Sequence, residues 1–110
     1  MFKRLNPRHN RVRKGAALLD ELFPDWEKEV NTRNLDQSLD TLCVLGQVTR
    51  DKYLDTIDKL GFNLKEAIDY GCVEPVPIFA SHLDKYDQLS AAWRELINYR
   101  RDTKTRQGVS

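Results

Sequence analysis

Two cysteines, two histidines and seventeen acids are the side chains that could carry covalent, metal or acid–base chemistry here. Nucleophilic catalysis needs a nucleophile, a base and an orienting group that meet in space. His9 lies in a basic N-terminal stretch and His82 follows a segment broken by Pro75 and Pro77. Cys43 stands among Leu42, Val44 and Leu45, the setting of an inert core thiol rather than a reactive one. Cys43 and Cys72 lie 29 positions apart, without the paired Cys-x-x-Cys or His-x-x-x-His spacing of a zinc site. The acids Asp51, Asp55 and Asp58, and Glu66 with Asp69, fall where solvated helix faces place them. No glycine-rich phosphate loop is present. The sequence therefore assigns no catalytic, cofactor-binding or metal-ligating residue, and it reads as a non-enzyme.

Charge is the second chemical feature. Lys3, Arg4, Arg8, Arg11, Arg13 and Lys14 put six positive groups into the first fourteen residues with no acid among them. Residues 15–93 carry seven basic against fifteen acidic groups, and residues 94–110 five against two. Basic ends thus flank an acidic body within a net charge of +1. Such ends could neutralise phosphates in a salt-sensitive, sequence-blind way. Only Phe2 accompanies them, so stacking on single strands has little support. The stretch Asp51 to Gly71, with a turn at Leu60-Gly61-Phe62, has the layout of a helix-turn-helix. Its second helix presents Lys65, Glu66 and Asp69, a net negative charge that duplex DNA would repel, so an ordinary helical hairpin is expected.

The elements that hold these groups are read from apolar spacing. Val12, Gly15, Ala16, Leu19, Leu22 and Phe23 recur at helical intervals, and Pro24 ends that helix near Leu22. Pro24 can open a short helix with Trp26 and Val30 inward, before a turn at residues 31–34. Leu35, Leu39, Leu42, Cys43 and Gly46 suggest another helix capped by Asp36 or Ser38, although residues 42–45 also fit a short buried strand. A helix with Tyr53, Leu54, Ile57 and Leu60 should stop at Gly61, and one capped by Asn63 should close at Gly71. Residues 72–82 read as an extended connection. Leu83, Tyr86, Leu89, Trp93, Leu96 and Ile97 mark a long final helix with Asp84 as its cap. The expectation is an all-α single domain of five or six helices, long at both ends: a basic, flexible arm over 1–10, a helical domain over 11–101 and a frayed tail over 102–110. The longest apolar runs are too short to span a membrane, and no apolar stretch follows the basic N-terminus as in a secretory signal, so a cytoplasmic location is expected.

The blocks Arg11-Val12-Arg13-Lys14-Gly15-Ala16-Ala17-Leu18-Leu19-Asp20 and Cys43-Val44-Leu45-Gly46-Gln47, with Pro24-Asp25-Trp26, Leu60-Gly61-Phe62, Tyr70-Gly71 and Leu89-Ser90-Ala91-Ala92-Trp93-Arg94, keep their order along the chain. The pattern, covering roughly residues 11–97, resembles small proteins of uncharacterised role encoded by actinobacterial phages of the mycobacteriophage type. The resemblance implies a phage or prophage product in the host cytoplasm and brings no mechanism. Such relatives have a second cysteine just before the Cys43 position, where this chain has Asp40 and Thr41, so no role of that pair transfers. The expected function is a protein-binding accessory acting on a host or phage protein, with Trp26, Ile78 and Phe79 as interface residues. The alternative is nucleic-acid association through the phosphate backbone, using Lys3 to Lys14 and the C-terminal basic groups. A third reading, an acidic body that mimics nucleic acid, is a variant of the first.

Overall fold

The computed structural model describes residues 7–39, 42–50, 59–75 and 83–108, the last five by backbone alone. Four α-helices stand among them: α1 (Pro7–Leu22), α2 (Val44–Thr49), α3 (Leu64–Asp69) and α4 (Leu83–Gly108), with a 3-10 turn at Trp26–Glu29. The described chain is entirely helical and irregular, without strands. Five or six helices were expected, and the difference has local causes. Asp25 takes a left-handed backbone (φ 64°) after Pro24, so the chain closes one tight 3-10 turn where a short α-helix was expected. Residues 37–39 form a turn and bend, where the Asp36 carboxylate accepts both the Ser38 N–H and its hydroxyl, at 3.0 and 2.6 Å. An aspartate used that way makes a local turn instead of capping a helix. The cap of α2 is Cys43, whose sulfur accepts the Gly46 N–H at 3.3 Å, so the ambiguity at 42–45 resolves to a helix that starts at Val44. The expected helix with Tyr53, Leu54 and Ile57 lies outside the described residues. Lys59 and Leu60 are helical, and Gly61 follows at φ 74°.

Both long helices extend past their expected ends. Pro7 opens α1, which suits a residue that has no N–H to leave unsatisfied, so residues 7–10 of the anticipated arm are helical. At the other end α4 continues to Gly108, through most of the stretch expected to fray. Arg8 reaches Gln88, His9 reaches Glu95 and Asp20 reaches Arg100. These contacts advance together along the two helices, so α1 and α4 lie side by side in the same direction. The 12 residues from Arg8 to Asp20 and from Gln88 to Arg100 each rise about 18 Å, which keeps the pairing in step.

The core lies between α1, α4 and the segments that cross them. Val12, Ala16 and Leu19 from α1 meet Tyr86, Leu89, Trp93, Leu96 and Ile97 from α4, with Trp26, Val44, Ala67 and Val73 closing the sides. Trp26 and Trp93 meet edge to face, with centroids 5.8 Å apart. Two glycines set how close the chain can come. A Cβ on Gly15 would stand 2.0 Å from the Tyr70 carbonyl oxygen, and one on Gly71, itself at φ 72°, would stand 3.1 Å from the Val12 backbone. The turn after α3 therefore rests directly on the backbone of α1. Asn63 starts α3 with a full capping box, exchanging hydrogen bonds with Glu66 at 2.8 and 3.2 Å.

Candidate functional site

Five of the described arginines near the two ends of the chain, Arg8, Arg11, Arg94, Arg100 and Arg101, bind groups of the fold itself. The Glu74 carboxylate, whose side chain is 3% exposed, accepts from Arg8 at 3.0 and 3.3 Å and from Arg11 at 2.8 Å. A buried carboxylate is costly unless paired, and two guanidiniums supply that pairing. Glu74 also bears on Tyr86, whose hydroxyl is pushed above its ordinary pKa by burial first and by the charge of Glu74 last, with a backbone hydrogen bond at Glu74 opposing them. Arg13 and Lys14 lie on the exposed side of α1, Lys14 with its ammonium 6.0 Å from the centre of the Tyr70 ring. Lys3 and Arg4 lie outside the described residues. The structure thus brings two of the six candidate phosphate contacts together, on a carboxylate of the protein itself.

Arg94, Arg100 and Arg101 behave alike. Arg94 donates to the carbonyls of Thr32 and Leu35 at 2.9 and 3.1 Å. Arg100 donates to Asp20 at 2.8 Å and Glu27 at 3.3 Å, with its guanidinium 5.9 Å from the centre of the Trp26 ring. Part-burial opposes its charge, but the hydrogen bond and charge of Asp20, then of Glu27, outweigh that and raise its pKa. Arg101 donates to the carbonyls of Glu27 and Val30. The 3-10 turn is therefore held from α4 by two successive arginines.

Trp26, expected at an interface, is 1% exposed and belongs to the core. Its indole N–H donates to Asp20 at 3.0 Å, so the polar edge of the ring finds a partner inside the fold and the apolar body stays buried. Ile78 and Phe79, the other two expected interface residues, lie outside the described residues.

Two concavities among the described residues bear on function. One is an apolar crevice walled by Leu18, Leu19, Val44, Leu45, Phe62 and Trp93, with Cys43 and Cys72 also in its lining. About 10 Å³ is open to the centre of a water-sized sphere, which admits one water at most. Its polar member, Gln37, is saturated: Oε1 accepts the Val44 N–H at 2.7 Å, and Nε2 faces the carbonyls of Cys72 and Gly71 at 3.3 and 3.5 Å. The other concavity is an open groove of about 500 Å³ between the end of α1 and the end of α2. Leu22, Phe23 and Val48 supply its apolar surface, and Asp25, Lys28, Glu29 and Arg50 its charged rim. Leu22 is 42% exposed, although it continues the apolar stripe of α1. Asp25 and Arg50, which face this groove, are the two non-glycine residues with positive φ among those described, at 64° and 58°. Left-handed backbone costs a side-chain-bearing residue on the order of 1 kcal/mol, and such residues gather at functional surfaces. Arg50 and Glu29 pair across the rim at 3.2 Å, both well exposed.

Sequence reasoning missed this groove. One sign was available: Leu22 and Phe23 continue the α1 stripe up to Pro24, past the turn at which Leu19 already meets the core. Among the described residues no group of three or more His, Cys, Asp or Glu is placed to hold a metal ion. No described helix is long and apolar enough to cross a membrane. Comparison with protein-family models, with curated proteins and with solved structures finds no match.

Proposed function

We propose that this chain is a non-enzymatic phage accessory protein, a protein-binding module that engages a host or phage protein in the cytoplasm of an actinobacterial cell. The phage assignment rests on the resemblance of the Arg11–Asp20 and Cys43–Gln47 blocks. The observation that carries the binding reading is the groove between α1 and α2, where Leu22 is 42% exposed beside Phe23 and Val48. Its size suits one or two apolar side chains of a partner segment, and its rim offers Asp25 and Lys28 as polar contacts. The phosphate-binding alternative loses support at Arg8, Arg11, Arg94, Arg100 and Arg101, each of which spends hydrogen bonds within the fold.

The test is capture of tagged protein from an actinobacterial lysate, with and without nuclease, read by quantitative mass spectrometry. Three baits are compared: the natural chain, Leu22→Glu in the groove, and Leu64→Glu at a residue 71% exposed on α3. The binding reading expects a stoichiometric protein that survives nuclease and persists with Leu64→Glu but falls at least tenfold with Leu22→Glu. Equal capture by all three baits, or recovery only of nuclease-sensitive material, overturns it. Circular dichroism of each bait separates lost binding from lost folding.

A further inference from the structure

Cys43 and Cys72 are both thiols rather than a disulfide, and both stand in the wall of the same crevice. That crevice has room for one water at most. A single side-chain amide ties the two backbones: Gln37 takes the N–H of Val44, next to Cys43, at 2.7 Å and gives its own N–H to the carbonyl of Cys72 at 3.3 Å. The thiols also feel each other's charge, for Cys43 is one of the two causes that raise the Cys72 pKa. Cys43 is buried and Cys72 only partly so, which makes Cys72 the more accessible residue of the two.

We propose that Cys43 and Cys72 are an oxidant-responsive pair that a peroxide closes into an intramolecular disulfide, locking the N-terminus of α2 to the turn after α3. The Cys72 thiolate attacks one peroxide oxygen and the O–O bond breaks, giving a sulfenic acid and hydroxide. The Cys43 sulfur then attacks the Cys72 sulfur, forming the S–S bond, and the hydroxyl leaves as water with the Cys43 proton. Two thiols lose two electrons in total, and one hydrogen peroxide becomes two waters. Burial, then the charge of Cys43, pushes the Cys72 thiol up to about 12, so little thiolate exists at neutral pH and the first step is slow there. The pair is thus quiet under reducing conditions and responds to sustained oxidation.

The bond would close a loop over the 28 residues between the cysteines. Such closure removes disorder from the unfolded chain and raises Tm by on the order of 10 °C.

The experiment treats the reduced, full-length protein with excess hydrogen peroxide from pH 7 to 9.5, alkylates residual thiols after denaturation and reads intact mass. The expected product weighs about 2 Da less than the reduced chain, carries no alkyl group and yields a peptide joining Cys43 to Cys72. Its rate should rise roughly tenfold per pH unit, and dithiothreitol should reverse both the mass change and the rise in Tm. Cys43→Ser keeps an N-cap for α2 and so should fold; in it, peroxide should carry Cys72 on to a sulfinic acid. Persistence of two alkylatable thiols at every pH overturns the proposal. So does sulfinic acid at Cys72 of the natural chain with Cys43 still alkylatable, or cross-linking between chains alone.

Discussion

At the residue scale, the fold is set by a few atoms that have no slack. Gly15 is the clearest, because a methyl group there would meet the Tyr70 carbonyl oxygen at 2.0 Å, and backbone cannot retreat as a flexible side chain can. Gly15→Ala should cost about 2–4 kcal/mol in urea unfolding, although alanine is the better helix former. A gain in stability would show that α1 and the turn after α3 do not touch there. Glu74 is the second such residue. Glu74→Gln leaves Arg8 and Arg11 facing a neutral amide, and the loss should be about 2 kcal/mol, held to that figure by the partial exposure of both arginines. Cys72 gives a prediction in pH. Its folded value near 12 lies above its ordinary 9.0, so the folded protein keeps a proton that the unfolded chain releases. Its contribution is complete below pH 9 and is lost as pH climbs towards 12, with a slope of about 1.4 kcal/mol per unit. Tyr86, also raised, titrates in the same range, so the comparison is between the natural chain and Cys72→Ala. The variant should lack that part of the alkaline slope, and identical slopes would contradict the burial of the thiol.

At the scale of elements, periodicity read the long helices well and the short ones poorly. The stripes of α1 and α4 were legible because each buries one face along several turns, and Pro24, Gly61, Asn63 and Gly71 punctuate the chain as their chemistry requires. The segment 35–46 misled for a physical reason. Its apolar residues have helical spacing, but Asp36 binds Ser38 locally and Gln37 turns into the core, where it bridges Val44 to Cys72. A buried glutamine acting as a strut has no periodic signature. The same holds for the 3-10 turn, whose support comes from α4, some seventy residues further along the chain. Arg101→Ala removes its two donors to the Glu27 and Val30 carbonyls and should cost about 1–2 kcal/mol. Amide exchange should quicken over residues 26–30 well before the rest of the molecule. Uniform quickening would mean the turn does not depend on Arg101.

At the scale of the whole molecule, part of the basic charge at the two ends of the sequence is met within the fold. Among the described residues α1 and α4 run side by side, and Arg8, Arg11 and Arg100 settle on Glu74, Asp20 and Glu27. The radius of gyration of 13.6 Å matches the roughly 13 Å of a compact domain this long, as such internal pairing would favour. The double variant Arg8→Gln, Arg11→Gln should therefore lower Tm while leaving any residual affinity for a DNA duplex, and its salt dependence, unchanged. A drop in affinity with the salt slope reduced by about 2 would return these residues to a phosphate-binding role. The groove escaped the sequence because it is made by two helix ends distant along the chain, neither of which is unusual alone. Its occupancy is the central claim. The most direct measurement is a hydrogen-exchange footprint of the protein bound to the partner captured from an actinobacterial lysate. The account predicts slowed exchange over residues 22–30 and 45–50, with residues 8–14 and 94–101 unchanged. Protection confined to the latter two segments would contradict it.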